Sequence, residues 1–258
     1  MVSDPAAPTE RFSNRVDDYA RWRPGYPAEL VPWLVGHCGL VSGDAVADVG
    51  SGTGLFSREL LAAGLLVHGV EPNAAMRDAG ARELAHDSRF SSHNGTAEAT
   101  GLPSASVRLV TAAQAFHWFV PEPARTEFTR ILQPGGQIAL IWNVRREDTP
   151  FLAGYEALLQ RHAPEYARSG VPAQADTVVI AYFFSGSQHE RREFAYAQHF
   201  DREGLHGRLL SSSYAPARGV PGHEAMMEDL DVLFDAHQRN GEVAFLYRTQ
   251  LFVGRTEK

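Results

Sequence analysis

The chain has 258 residues, 44% of them hydrophobic and 21% charged, enough for one large α/β domain or a domain carrying an insertion. Its net charge of −7 argues against general nucleic-acid binding, which needs a basic footprint. The single cysteine, Cys38, excludes an intrachain disulfide and a cysteine-based zinc site and is expected to be a small buried apolar residue. No apolar run approaches the roughly 18 residues of a membrane span, and residues 1–10 lack the basic start and apolar stretch of a secretory leader, so a cytoplasmic location is expected.

From Asp44 onward, short apolar runs alternate with amphipathic stretches, the pattern of βαβ units on a parallel sheet. Ala45–Val49 reads as a first strand, followed by a helix over Thr53–Ala63 that Gly64 stops. Leu65–Val70 reads as the second strand, a helix opens at Pro72, and Arg89–His93 reads as a short third strand. Val107–Ala112 is the fourth strand, Pro123–Leu132 a helix, Gln133-Pro-Gly-Gly136 a turn and Gln137–Asn143 a buried fifth strand. After Pro150 the rhythm changes, and Phe151, Leu152, Tyr155, Leu158 and Leu159 follow helical spacing. Thr177–Phe184 fits either a strand or a helix. Arg192–Phe200 alternates like a strand, Asp201 caps a short helix, Met226–His237 carries a helical stripe, and Val243–Val253 is the last strand. No linker interrupts the chain, so it reads as one domain: a helical cap over residues 10–43, a core over 44–143, an insertion over 150–190 above the substrate pocket, and completing strands and helices over 191–258.

The informative segment is Asp48-Val-Gly-Ser-Gly-Thr-Gly54 between a strand and a helix. Glycines at 50, 52 and 54 let the backbone turn tightly and let a ligand approach without an intervening Cβ. The following helix offers free N–H groups and the positive end of its dipole. Glu71 ends the next strand, where a carboxylate in a Rossmann-like crevice accepts hydrogen bonds from a ribose diol. The third glycine stands at 54 and Leu at 55, a departure from the dinucleotide fingerprint with its diphosphate over the helix.

Val46–Phe56 resembles motif I of class I S-adenosylmethionine (SAM) dependent methyltransferases, Val70-Glu-Pro-Asn73 their second motif, Asn94–Pro103 their adenine-binding segment and Leu132–Gly136 the turn before strand five. The chain is further similar to the small-molecule branch around trans-aconitate methyltransferase, through Phe12-Ser-Asn14, Arg23–Pro27, Ala112–Phe119, Phe200–Leu205, Ser211–Pro216 and Tyr247–Gly254. Arg108 departs from that pattern, which often has an acid there. The resemblance implies an α/β, Rossmann-like, seven-stranded sheet with the last strand antiparallel, helices on both faces and a helical insertion after strand five. It implies SAM as cofactor, with Gly50, Ser51, Gly52, Thr53 and Gly54 under its methionine moiety, Asp48 organising that loop and Glu71 on the ribose. Pro72 and Met76 are expected beside the adenine, Thr96, Ala97 and Glu98 at its edge, and Gln114 beneath the cofactor.

On the substrate side, Tyr19 and Arg23 fall one helical turn apart and can face one pocket. His117 and Trp118 follow strand four at the switch point where such sheets bind substrates, with His117 a candidate base and Trp118 a pocket wall. Arg145 and Arg146 follow strand five and can bind an anionic group, with a solvated loop pair as the alternative. No metal-ligand spacing is present, so no metal is expected. The expected reaction is methyl transfer to an oxygen, nitrogen or carbon of a small molecule, with carboxylates and secondary metabolites among the candidates. A protein of this fold with other chemistry, or a SAM-binding regulator, is the alternative. The expected partners are a small-molecule substrate, neither nucleic acid nor membrane, in a monomer or homodimer.

Overall fold

The structure, a computed structural model, describes residues 22–164, 166, 177–184, 189–212 and 214–255. Helix α1 (Leu30–Cys38) precedes β1 (Ala45–Val49), α2 (Leu55–Ala62), β2 (Leu66–Val70), α3 (Ala74–Glu83), β3 (Phe90–His93) and β4 (Val107–Ala113). A single 3-10 turn (Phe116–Trp118) leads to α4 (Pro121–Ile131), β5 (Leu132–Arg145), α5 (Pro150–His162) and α6 (Thr177–Phe184). The chain then forms β6 (His189–Phe200), α7 (Arg202–Leu210), α8 (His223–His237) and β7 (Val243–Gly254).

The strands form a seven-stranded sheet in the order β3-β2-β1-β4-β5-β7-β6. Strands β1 to β5 pair in parallel, and β7, the last in the chain, enters antiparallel between β5 and β6. The strand order reverses between β1 and β4, the switch point at whose carboxyl edge open α/β sheets bind ligands.

Two apolar clusters cover the sheet's faces. One joins Ala47, Val49, Val110 and Leu140 to Phe128 of α4 and to Ile180, Phe183 and Phe184 of α6. The other joins Val46, Val67, Leu109 and Ile141 to Leu34 of α1 and to Phe56 and Leu60 of α2. Alternate residues of each strand point to opposite faces, so Val46 and Ala47 serve different clusters. A third cluster forms where β7 extends past the parallel strands: Phe245 and Tyr247 pack with Tyr155 of α5, Leu205 and Leu209 of α7 and Leu230 of α8. The two helices after β5 are therefore divided, α5 joining the third cluster and α6 the face that carries α4.

Local chemistry sets the element ends. Helix α2 starts at Leu55 rather than Thr53 because Gly54, at φ 83°, is left-handed and cannot continue a helix. Helix α3 starts after Asn73, whose side chain accepts from the Met76 N–H at 3.0 Å. Helix α4 starts at Pro121, earlier than expected, since proline is tolerated in a first turn. Thr149 and Asp201 cap α5 and α7. The expected turn Gln133–Gly136 lies inside β5: Val107 pairs with Leu132 and Leu109 with Gln137, and the residues between arch out with Gly135 at φ 80°. Thr177–Phe184 resolves as a helix because Ile180, Phe183 and Phe184, at helical spacing, bury against α4 and the sheet. Cys38 is half-buried rather than fully enclosed, with its thiol pushed up to about 12 by burial. Among the described residues, no helix is long and apolar enough to cross a membrane.

Candidate cofactor and substrate site

Strand β1 delivers Asp48 to the carboxyl edge of the sheet, where it is buried. One carboxylate oxygen accepts from Ser57 Oγ of α2 at 2.7 Å and the other from Thr111 Oγ1 of β4 at 2.9 Å. Asp48 thus ties the glycine loop's strand to its two neighbours. Burial pushes its carboxyl up to about 6, with the two hydroxyls opposing that shift.

The loop after Asp48 is closely approached. Gly50 and Gly52 have φ of 72° and 57°, and a Cβ on Gly50 would stand 2.4 Å from the Cβ of Ala115. Met76 packs over Gly52 from α3. Glu71, at the end of β2, accepts the Gly52 N–H through Oε2 and the Asn73 N–H through Oε1, each at 2.9 Å. Its carboxylate therefore clamps the glycine loop to the start of α3. Burial raises the pKa of Glu71 above the ordinary glutamate value, against the pull of the two backbone N–H groups and Arg77.

Beyond the clamp, Thr96 and Ala99 form an isolated antiparallel bridge that presents Ala97, buried, and Glu98. Glu98 Oε1 accepts the Val120 N–H at 2.9 Å, which joins this loop to the segment after β4. In that segment Gln114 has φ 56°, a left-handed conformation uncommon for a non-glycine residue. Its N–H donates to Ile141 O at 2.8 Å and its Nε2 to Asn143 O at 3.1 Å, so β5 holds it in place. Strain of this kind clusters at ligand sites. His117 and Trp118 follow on the exposed 3-10 turn, with Trp118 40% exposed. Solvent reaches His117 from one side, but the protein crowding its other sides lowers its pKa to about 4, so the imidazole is neutral at pH 7.

Gly50–Gly54, Glu71, Met76, residues 96–98 and residues 114–118 thus surround the carboxyl edge of β1, β2 and β4. The remaining expected residues lie apart from that group. Arg145 ends β5 in the third cluster, ion-paired to Glu156 and stacked over the Tyr155 ring at 4.8 Å. Arg146 is engaged with Asp148 at an exposed position, the solvated loop arrangement. Arg23 Nη2 donates to Ser211 O at 3.2 Å, and Tyr19 lies outside the described residues. Sequence reasoning missed Asn143, whose carbonyl holds Gln114 and whose side chain bonds Gly25 O and Thr249 Oγ1. A polar residue ending an otherwise apolar strand was the available signal.

The cradle suits an adenosyl sulfonium. Thr53 Oγ1 is buried in the loop with no hydrogen-bond partner, a polar atom that a ligand there would satisfy. Gly50 and Gly54 admit Ala115 and Leu84 where a Cβ would stand, and the acids Asp48 and Glu71 suit hydroxyl and ammonium groups better than a diphosphate. Among the described residues, no group of three histidine, cysteine or acidic side chains is arranged to hold a metal.

The fold is similar to that of solved structures described as methyltransferases, and the chemistry of the cradle fits SAM. Residues 47–140 match the family model described as "Methyltransferase domain". A protein of Mycobacterium tuberculosis named as an uncharacterized methyltransferase is 38% identical over 136 residues, 53% of each chain, so this chain spans about half the length of that relative. One of Schizosaccharomyces pombe, named likewise, is 28% identical over 225 residues, 85% of each chain. Among solved structures, a protein described as a type II methyltransferase of Anaeromyxobacter dehalogenans superposes with a TM-score of 0.67 at 23% identity, covering 90% of this chain and 97% of that one. A methyltransferase described as from an antibiotic biosynthesis pathway of Anabaena variabilis superposes with a TM-score of 0.65 at 22% identity, over 90% and 98%. At these identities the structural likeness concerns the fold.

Proposed function

We propose that this protein transfers the methyl group of SAM to a small molecule. The observation that carries the reading is the Glu71 clamp: one buried carboxylate, fixed by Gly52 and Asn73, facing a loop in which Gly50 and Gly54 have no room for a Cβ. When bound, SAM supplies a methyl group activated on a sulfonium. Gly50, Ser51, Gly52, Thr53 and Gly54 would hold its methionine moiety, with Asp48 keeping the loop in register. Glu71 would accept from the ribose hydroxyls. Pro72, Met76, Thr96, Ala97 and Glu98 would enclose the adenine, and Gln114 would floor the site. The work left to the chain is alignment and exclusion of water.

A carboxylate acceptor needs no base. For an acceptor that carries a proton, His117 is the candidate base, being neutral at pH 7 and following β4 in the chain. Trp118 walls the entrance, and Tyr19 and Arg23 belong to the segment proposed to cover it. The net charge of −7 favours a small-molecule acceptor over nucleic acid, and a cytoplasmic location accords with the composition.

Glu71→Ala is expected to weaken SAM binding by about 1–3 kcal/mol through lost hydrogen bonds to a charged group. Calorimetric titration of the folded variant checks it, and unchanged affinity overturns the cofactor assignment. A panel of small acceptors with methyl-labelled SAM tests transfer itself: label in a product supports the reading, and SAM binding without product across the panel favours a regulator.

A further inference from the structure

The third cluster holds a charge that its surroundings do not balance. Arg208 lies on α7 between Leu205 and Leu209, on the stripe that packs into the core, and is only 6% exposed. Its guanidinium donates to Tyr247 Oη at 3.5 Å and Ser212 Oγ at 3.3 Å, both long for hydrogen bonds. Among the described residues, no carboxylate pairs with it; the groups around its charge include the phenols of Tyr247, Tyr155 and Tyr214 and the ring of Phe245, 5.8 Å away. A guanidinium removed from water without a counter-ion is unfavourable enough to need an explanation.

Two further polar atoms beside it lack partners. Tyr155 Oη and Arg145 Nε are buried without a hydrogen bond, and Tyr155 is fully enclosed. Arg145 does have a counter-ion: Glu156 accepts from its Nη2 and also from Tyr166 Oη, the latter at 2.7 Å. One of the two buried arginines is therefore neutralised and the other is not. Strand β5 joins this cluster to the segment that carries Gln114. Arg145 pairs with Tyr247 across β5 and β7, and on β5 it follows closely after Asn143, the residue whose carbonyl holds Gln114.

We propose that Arg208, with Tyr155 and Arg145, anchors a carboxylate of the acceptor, which is a small organic acid. The single unbalanced positive charge matches one carboxylate better than a phosphate dianion. The planar guanidinium offers a paired donor edge, and Tyr155 Oη and Arg145 Nε add donors now unused. The proposal rests on the methyl-transfer reading only in calling the bound acid the acceptor.

The test uses the full chain saturated with S-adenosylhomocysteine, titrated calorimetrically with benzoate, succinate and citrate, with benzamide and succinamide as neutral controls and with inorganic phosphate. At least one acid is expected to bind, at least tenfold more tightly than the amides and than phosphate. Arg208→Met is expected to lose at least tenfold in affinity for that acid, to keep its affinity for S-adenosylhomocysteine, and to melt no lower than the wild type without ligand, since it removes an unbalanced buried charge. If Arg208→Met does not fold, Arg208→Lys keeps the charge without the planar fork and is expected to show the same tenfold loss. No binding by any acid, equal binding by amides or phosphate, or unchanged acid affinity in the variants overturns the proposal. So does a folded Arg208→Met that melts well below the wild type, because the charge then has a partner within the chain. Acid binding without label transfer from SAM removes the methyltransferase reading and leaves the subsite standing; label transfer without acid binding does the reverse.

Discussion

Asp48 is held by two hydroxyls and disfavoured by its own burial, and burial prevails, raising its carboxyl to about 6. The folded state then binds the proton more tightly than the unfolded chain. The resulting stability is complete below the ordinary value of 3.8 and is lost as pH rises through about 6. At 1.36 kcal/mol per pH unit the loss is about 3 kcal/mol. Asp48→Asn is expected to abolish this decline, which urea unfolding of the ligand-free protein checks between pH 4 and pH 8, roughly the window set by the shift. An equal decline in the variant assigns the effect to another group. His117 makes a different statement at the same scale. For an acceptor that must lose a proton, His117→Ala is expected to lower kcat by roughly a hundredfold or more while SAM affinity holds. A twofold change or less removes it from the chemistry and leaves it a wall of the site. Arg208 shows how a buried charge is legible afterwards: the spacing from Leu205 to Leu209 already put it on the apolar stripe of its helix.

Among the elements, α4 is fastened to the loop before β4 through one acid. Glu127 accepts from the Thr100 N–H at 2.8 Å, from Thr100 Oγ1, and from Arg130 Nε at 2.7 Å, while Arg130 also reaches Leu102 O at 2.7 Å. Chiefly through the Arg130 hydrogen bonds, the carboxyl is lowered to about 2. The sign is opposite to that of Asp48: the stability is present above the ordinary glutamate value of 4.5 and is lost as pH falls toward about 2. Glu127→Gln is expected to be less stable than the wild type at neutral pH and to show a shallower acid decline, measured by thermal unfolding. Identical acid slopes would mean that the pair is too solvated to matter. The β5 arch makes a related point about local signals. Gln133-Pro-Gly-Gly136 does turn, as its residues require, yet the ladder with β4 resumes on either side of it.

At the scale of the whole molecule, the proposed cofactor crevice is built from segments that β1, β2 and β4 bring to one edge, and the proposed acid subsite from segments that β5, β7, α5 and α7 bring together. A ligand joining the crevice's segments stabilises the whole chain. S-adenosylhomocysteine at a hundred times its Kd is expected to contribute about 2.7 kcal/mol, raising the melting temperature by about 5–10 °C. An unmoved melting temperature at saturating ligand would contradict the cofactor site.

The sequence alone determined the parallel core, because alternating apolar runs and helical stripes have local periods, and it pointed to the candidate cofactor crevice, because the glycine loop and Glu71 flank contiguous elements. It placed the last strand as antiparallel through resemblance, and the structure agrees. It left Thr177–Phe184 open, since a short apolar run has no period of its own and only the neighbours Phe128 and Phe116 made it a helix. The setting of Arg145 was likewise decided by tertiary structure. Its counter-ion Glu156 and the groups around Arg208 come from α5, α7 and β7, and only folding brings their charges and hydroxyls within reach of one another.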